Sequence, residues 1–164
     1  MGVTFNADEI FEMAEEIERN GAAFYREVAD KTESQEMKNM FLGMAAMEDT
    51  HLQTFAEMRK ELSEQEKGET VFDPYNEANL YLQTLADSKG FEGMKNAAEK
   101  LSGNESIQEL LDAAIEAEKN SVLFYVGLKD MVTAKAGKDK VETIIKEEVR
   151  HVADLRRQLS AHGA

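Results

Sequence analysis

Two Glu-x-x-His pairs, Glu48 with His51 and Glu148 with His151, stand 100 residues apart, and each has a further glutamate 30 residues upstream, Glu18 and Glu118. Carboxylates and imidazoles are the donors used for metal ligation and for proton transfer. All of them fall where helical periodicity reserves a place for a core side chain. Phe11, Ala14, Glu18, Gly21, Tyr25 and Val28 lie alternately three and four apart, as do Phe41, Met44, Glu48, His51, Phe55, Met58 and Leu62. The same alternation runs through Ile107, Leu111, Ala114, Glu118, Ser121, Tyr125, Leu128 and Val132, and through Val141, Ile144, Glu148, His151, Leu155 and Leu159. An unpaired buried carboxylate costs several kcal/mol, against a net stability of only about 5–15 kcal/mol for a domain. Four of them need an escape: shared protons, buried Lys or Arg, or cations. The stripes carry no inward Lys or Arg at this level. Two divalent cations would cancel the four carboxylate charges and take one imidazole each. Such oxygen-rich ligation suits iron or manganese better than tetrahedral zinc.

Four long helical segments must position these groups. The first is predicted from an N-cap at Asn6, with Glu9 three residues on, to about Lys31. The second runs from about Ser34 to Leu62, the third from a cap at Asn104 or Ser106, and the fourth along the stripe from Val141 to Leu159, followed by a short tail. A turn is expected around "TAKAGKD", where Gly137 could end a helix. The stretches "IERNGAAFY" (17–25) and "AEKNSVLFY" (117–125) match at the Glu, Asn and Phe-Tyr positions. With the repeated Glu-x-x-His pairs, this implies two helical hairpins of one design, related by a pseudo-twofold axis. Turns near Glu33 and Thr133 would bring each hairpin's carboxylates to similar heights. The intervening residues, about 63–104, contain the sole Pro and read as a crossover with short helices near 76–87 and 91–101.

Composition narrows the function classes. At 164 residues the chain fits a single domain with one core, and its Ala, Glu, Lys, Leu and Met content suits a helix bundle. A formal net charge of −14 disfavours nucleic-acid backbones and anionic membranes as partners. The absence of Cys excludes disulfides, thiolate metal sites and thiol catalysis. The start of the sequence has no basic region followed by an apolar run, and no stretch approaches the apolar length of a membrane span, so a cytoplasmic protein is expected.

Glu18, the Glu48-x-x-His51 pair, Glu118 and the Glu148-x-x-His151 pair, in that order, resemble the ligand set of ferritin-like di-iron carboxylate proteins. Among them the chain is most similar to the rubrerythrins; bacterioferritins share the same ligands. The resemblance covers the four helical segments. It implies an all-α, ferritin-like four-helix bundle with a long crossover between helices two and three, residues 1–164 forming one domain. It implies two iron ions as cofactor, with manganese or zinc as substitutes. Glu48 and Glu148 would bridge them, Glu18 and Glu118 would be terminal ligands, and His51 and His151 would each hold one iron. Tyr25 and Tyr125 match the tyrosines that in rubrerythrins lie near the site and hydrogen-bond to ligand carboxylates. Two departures stand out. The rubredoxin domain of strict rubrerythrins needs four Cys, so the electron donor would be a separate protein such as a rubredoxin. Rubrerythrins also carry an extra Glu three residues from the third-helix ligand, where this chain has Ile115 and Ser121. That departure bears on the redox-linked exchange of one iron between a His and a Glu.

The implied activity is reduction of hydrogen peroxide, or less efficiently dioxygen, in protection against oxidative stress. A ferroxidase or iron-handling role is the alternative, and a metal-free helical interaction module is a second. Glu15, Glu16 and Glu116 lie off the inward stripes and read as solvated, as does His162 in the tail. The Met residues of the second helix read as adaptable core filler or an interface. Val71, Phe72, Tyr75, Leu80 and Tyr81 of the crossover have no place in the stripes, which favours a homodimer.

Overall fold

The computed structural model describes residues 6–62, 75, 77, 80, 81, 84, 104–132 and 134–162. Its four long helices are α1 (Ala7–Lys31), α2 (Gln35–Lys60), α3 (Ile107–Met131) and α4 (Lys135–His162). Asn6 caps α1: its side chain accepts from the Glu9 N–H at 2.9 Å while the Glu9 carboxylate accepts from the Asn6 N–H at 2.9 Å. Ser106 and Glu109 close the same reciprocal box on α3, and Ser34 caps α2. Each box satisfies two amides that the first helical turn would otherwise leave unpaired.

The short connections after α1 and after α3 force α2 and α4 to return along their predecessors. α1 therefore packs against α2 and α3 against α4, and the two hairpins meet with α1 facing α3 and α2 facing α4. The core lies in two apolar clusters. One holds Phe11, Ala14, Phe55, Met58, Phe124, Leu128 and Val141, and the other Phe24, Val28, Phe41, Met44, Leu111, Ala114 and Leu155. The first gathers the start of α1, the end of α2, the end of α3 and the start of α4, and the second gathers the opposite ends. The stripe positions of Glu18, Glu48, Glu118 and Glu148 fall between them.

Two boundaries differ from the sequence expectation. α4 already begins at Lys135, so Gly137 lies in its first turn and ends no helix. Its role is spatial: a Cβ at residue 137 would sit 2.7 Å from Val132 Cγ1 and 3.4 Å from Met58 Cε. α4 also continues through His162, so the expected tail is helical, and Gln108 Nε2 donates to the His162 carbonyl at 2.7 Å. In the crossover Glu77, Leu80, Tyr81 and Thr84 are helical, within the short helix expected near 76–87. The expected helix near 91–101, Val71 and Phe72 lie outside the described residues. The Tyr81 hydroxyl donates to the Leu123 carbonyl at 2.6 Å, which brings this part of the crossover onto α3. No described helix is long and apolar enough to cross a membrane.

Candidate metal centre

Each helix contributes at its midpoint: Glu18 from α1, Glu48 and His51 from α2, Glu118 from α3, Glu148 and His151 from α4. All are buried, and together with Ser121 they make up the buried polar set of the described residues, with no Lys or Arg among them. Periodicity explains the placement. A side chain three or four residues from core neighbours shares their face, whatever its polarity.

Their donor atoms form two overlapping groups. Glu18, Glu48, His51 and Glu148 offer one set and Glu48, Glu118, Glu148 and His151 the other, with the atoms of each set within 4.8 Å of one another. Glu48 and Glu148 belong to both. His51 Nδ1 lies 2.8 Å from Glu148 Oε1 and 3.4 Å from Glu18 Oε2. His151 Nδ1 lies 3.0 Å from Glu148 Oε2, 3.3 Å from Glu48 Oε1 and 3.4 Å from Glu118 Oε1. The two imidazole rings stand 6.2 Å apart.

Proximity here is not the same as hydrogen bonding. Glu18 Oε2, Glu48 Oε1, His51 Nδ1, Glu118 Oε2 and Glu148 Oε1 are buried and have no hydrogen-bond partner. The 2.8 Å approach of His51 Nδ1 to Glu148 Oε1 therefore lacks the alignment a hydrogen bond requires. Convergent lone pairs without donors are what a cation satisfies and what a polar core otherwise avoids. The donor set, four carboxylates and two imidazoles, fits a pair of hard or borderline metal ions.

The phenols cross between the hairpins. Tyr25 of α1 donates to Glu118 Oε1 of α3, and Tyr125 of α3 donates to Glu18 Oε1 of α1. Both are fully buried, Tyr25 stacked on Phe41 and Tyr125 packed on Phe55. Glu15, Glu16 and Glu116 stay outside the cluster: Glu15 lies 3.5 Å from Arg59, and Glu16 and Glu116 pair with Arg19 and Lys119 on the surface.

One group was not visible in the sequence. Glu147 of α4 sits 2.9 Å from His51 Nε2 of α2, on the side of the ring away from the cluster. An ionised carboxylate only accepts, so the proton of this bond resides on Nε2 and Nδ1 is the nitrogen turned to the cluster. Glu147 lies off the inward stripe and acts across 96 positions of chain. The sequence offered no distinctive hint, since at the offset of 100 the second and fourth segments match at little besides the Glu-x-x-His residues and Met47 against Glu147 is one difference among many.

Crowded charge shifts the titrations. Burial, then the charges of Glu48 and Glu148, holds the Glu18 carboxyl well above the usual range. Burial, then Glu48 and Glu118, pushes Glu148 up to about 8. At Glu118 burial also acts upward, but the close approach of His151 and Glu148 and the hydrogen bond from Tyr25 outweigh it and the net direction is down. Burial alone would lower both histidines. The carboxylates reverse this, raising His51 to about 9 through Glu148 first, and His151 to about 12 through Glu118 first. Burial and then the adjacent carboxylate raise both phenols, so Tyr25 and Tyr125 keep their protons.

The fold is shared with known proteins. A solved structure from Thermotoga maritima, described as a ferritin-like diiron-carboxylate protein, superposes with a TM-score of 0.75 over 98% of both chains at 24% identity. No curated protein matches the chain. The family model for rubrerythrin matches residues 9–159, which include every residue of the cluster. A match over that span places the chain in the rubrerythrin family.

Proposed function

We propose that the chain is a di-iron carboxylate oxidoreductase that reduces hydrogen peroxide, or less efficiently dioxygen, with electrons from a separate donor protein such as a rubredoxin. The observation that carries this reading is the sharing of Glu48 and Glu148 between the two donor groups, which is the arrangement two adjacent metal ions require. Glu18 with His51 and Glu118 with His151 complete the respective positions. A ferrous pair held by these residues would supply the two electrons that, with two protons, convert one peroxide to two waters, and the separate donor would return them.

The chain supplies geometry, charge and protons. Four carboxylates would neutralise two divalent cations, and among the described residues no buried Lys or Arg competes for that charge. Tyr25 and Tyr125 pin one oxygen each of Glu118 and Glu18, which fixes the other oxygen toward the centre. The apolar clusters on either side limit water to the polar layer. Manganese or zinc could occupy the same donors, and a homodimer is part of the proposal.

Anaerobic Fe(II) titration of the metal-free protein, followed by stopped-flow addition of peroxide, tests it. Two irons per chain and peroxide loss well above that of free Fe(II) are expected. Stoichiometric iron uptake with oxidation by dioxygen and release of Fe(III), but no peroxide consumption, would assign a ferroxidase instead. No specific binding would leave a metal-free helical module.

A further inference from the structure

The two halves of the bundle repeat the same Glu, Glu-x-x-His and Tyr positions at an offset of 100, yet they treat their histidines differently. On one side His51 Nε2 is held by Glu147 at 2.9 Å, and the His51 side chain is 1% exposed. On the other side the position that corresponds to Glu147 by the repeat offset is Met47, and the His151 side chain is 8% exposed. Among the described residues no carboxylate is placed against the outer nitrogen of His151; its carboxylate contacts, with Glu48, Glu118 and Glu148, all run through Nδ1. Glu147 and Met47 occupy the same register, each directly before its shared glutamate and each half-buried.

A carboxylate accepting from the far nitrogen of a ligating imidazole does three things at once. It selects the tautomer with a lone pair on the near nitrogen, it stops rotation of the ring, and it makes that lone pair more basic. A thioether at the same place does none of these. Resting on the di-metal reading above, we propose that Glu147 is a positioning residue that makes the two metal positions unequal. The position built from Glu18, Glu48, His51 and Glu148 fills first and holds its ion. The position built from Glu48, Glu118, Glu148 and His151 fills second and exchanges its ion readily.

The test is a titration of metal-free, full-length protein with Co(II), whose visible spectrum reports occupancy, in the wild type and in Glu147→Met, Glu147→Gln and Met47→Glu. The wild type is expected to bind two ions in two resolved steps. Glu147→Met should weaken the first step by roughly 10- to 100-fold and merge it with the second. Glu147→Gln removes the charge but keeps an amide oxygen that can accept from Nε2, so it should recover part of that loss. Met47→Glu should strengthen the second step. Because the Glu147 side chain is already 28% exposed, its two substitutions leave the core untouched, and far-ultraviolet circular dichroism of all the metal-free variants, Met47→Glu included, checks the fold. Two equal steps in the wild type, or a first step indifferent to Glu147→Met, would overturn the inequality while leaving the di-metal reading intact. No Co(II) binding in any form would overturn both.

Discussion

At the residue scale the tyrosines give the sharpest separation of packing from hydrogen bonding. Replacing Tyr25 or Tyr125 by Phe leaves the ring against Phe41 or Phe55 but removes the donor to Glu118 or Glu18. A buried carboxylate oxygen then loses its partner, a change that costs about 1–3 kcal/mol. Urea denaturation of metal-free Tyr25→Phe and Tyr125→Phe should show a loss of that size in each, and a change below about 0.5 kcal/mol would mean that the phenols only fill space. The four glutamates and two histidines were legible because a charged side chain in an otherwise apolar stripe breaks the pattern at a predictable place. Glu147 was not, because it lies off the stripe and its contact depends on how α4 is rotated against α2. Periodicity along one helix carries no information on that rotation.

At the element scale the same distinction separates what sequence could foresee from what packing decides. The caps at Asn6, Ser34 and Ser106 are local chemistry, and their signals sit within four residues of one another. The start of α4 is not local: Gly137 looks like a helix stop, but its missing side chain makes room for Val132 and Met58. Two glycine substitutions follow from this with opposite signs. Gly137→Ala gains helix propensity of about 1 kcal/mol but drives a methyl to 2.7 Å from Val132 Cγ1, so a net loss of about 1–2 kcal/mol is expected in urea denaturation. Gly43→Ala lies on the exposed face of α2 with nothing within 4 Å of the new Cβ, and should stabilise by about 0.5–1 kcal/mol. If both alanines stabilised alike, the turn before α4 would have to be able to yield, and Gly137 would have no spatial role.

At the scale of the whole molecule, two hairpins enclose a layer that is stable only when its charges are answered, and without metal the answer is protons. The folded state holds protons that the unfolded chain releases. Glu148 titrates at about 8 instead of 4.5, His51 at about 9 and His151 at about 12 instead of 6.5. Where the native state binds more protons than the unfolded one, stability falls as pH rises. The contribution of Glu148 is complete below 4.5 and lost on the way to about 8, and that of His51 is complete below 6.5 and lost on the way to about 9. Glu118, shifted down, acts the other way and loses its contribution as the solution is acidified below 4.5. The Tm of metal-free protein should therefore decline from about pH 5 to about pH 9. Surface repulsion in a chain of net charge −14 pushes in the same direction, but exposed charges are screened by salt and the buried layer is not. The decline should thus persist in roughly 1 M salt, where the Debye length is about 3 Å. Metal ions compete with these same protons, so the gain in Tm on adding Fe(II) anaerobically should widen as pH rises over this window. A metal-free Tm that rose with pH at high salt would mean that the carboxylates are charged and satisfied in some other way, and the case for a cation at the centre of the bundle would fall with it.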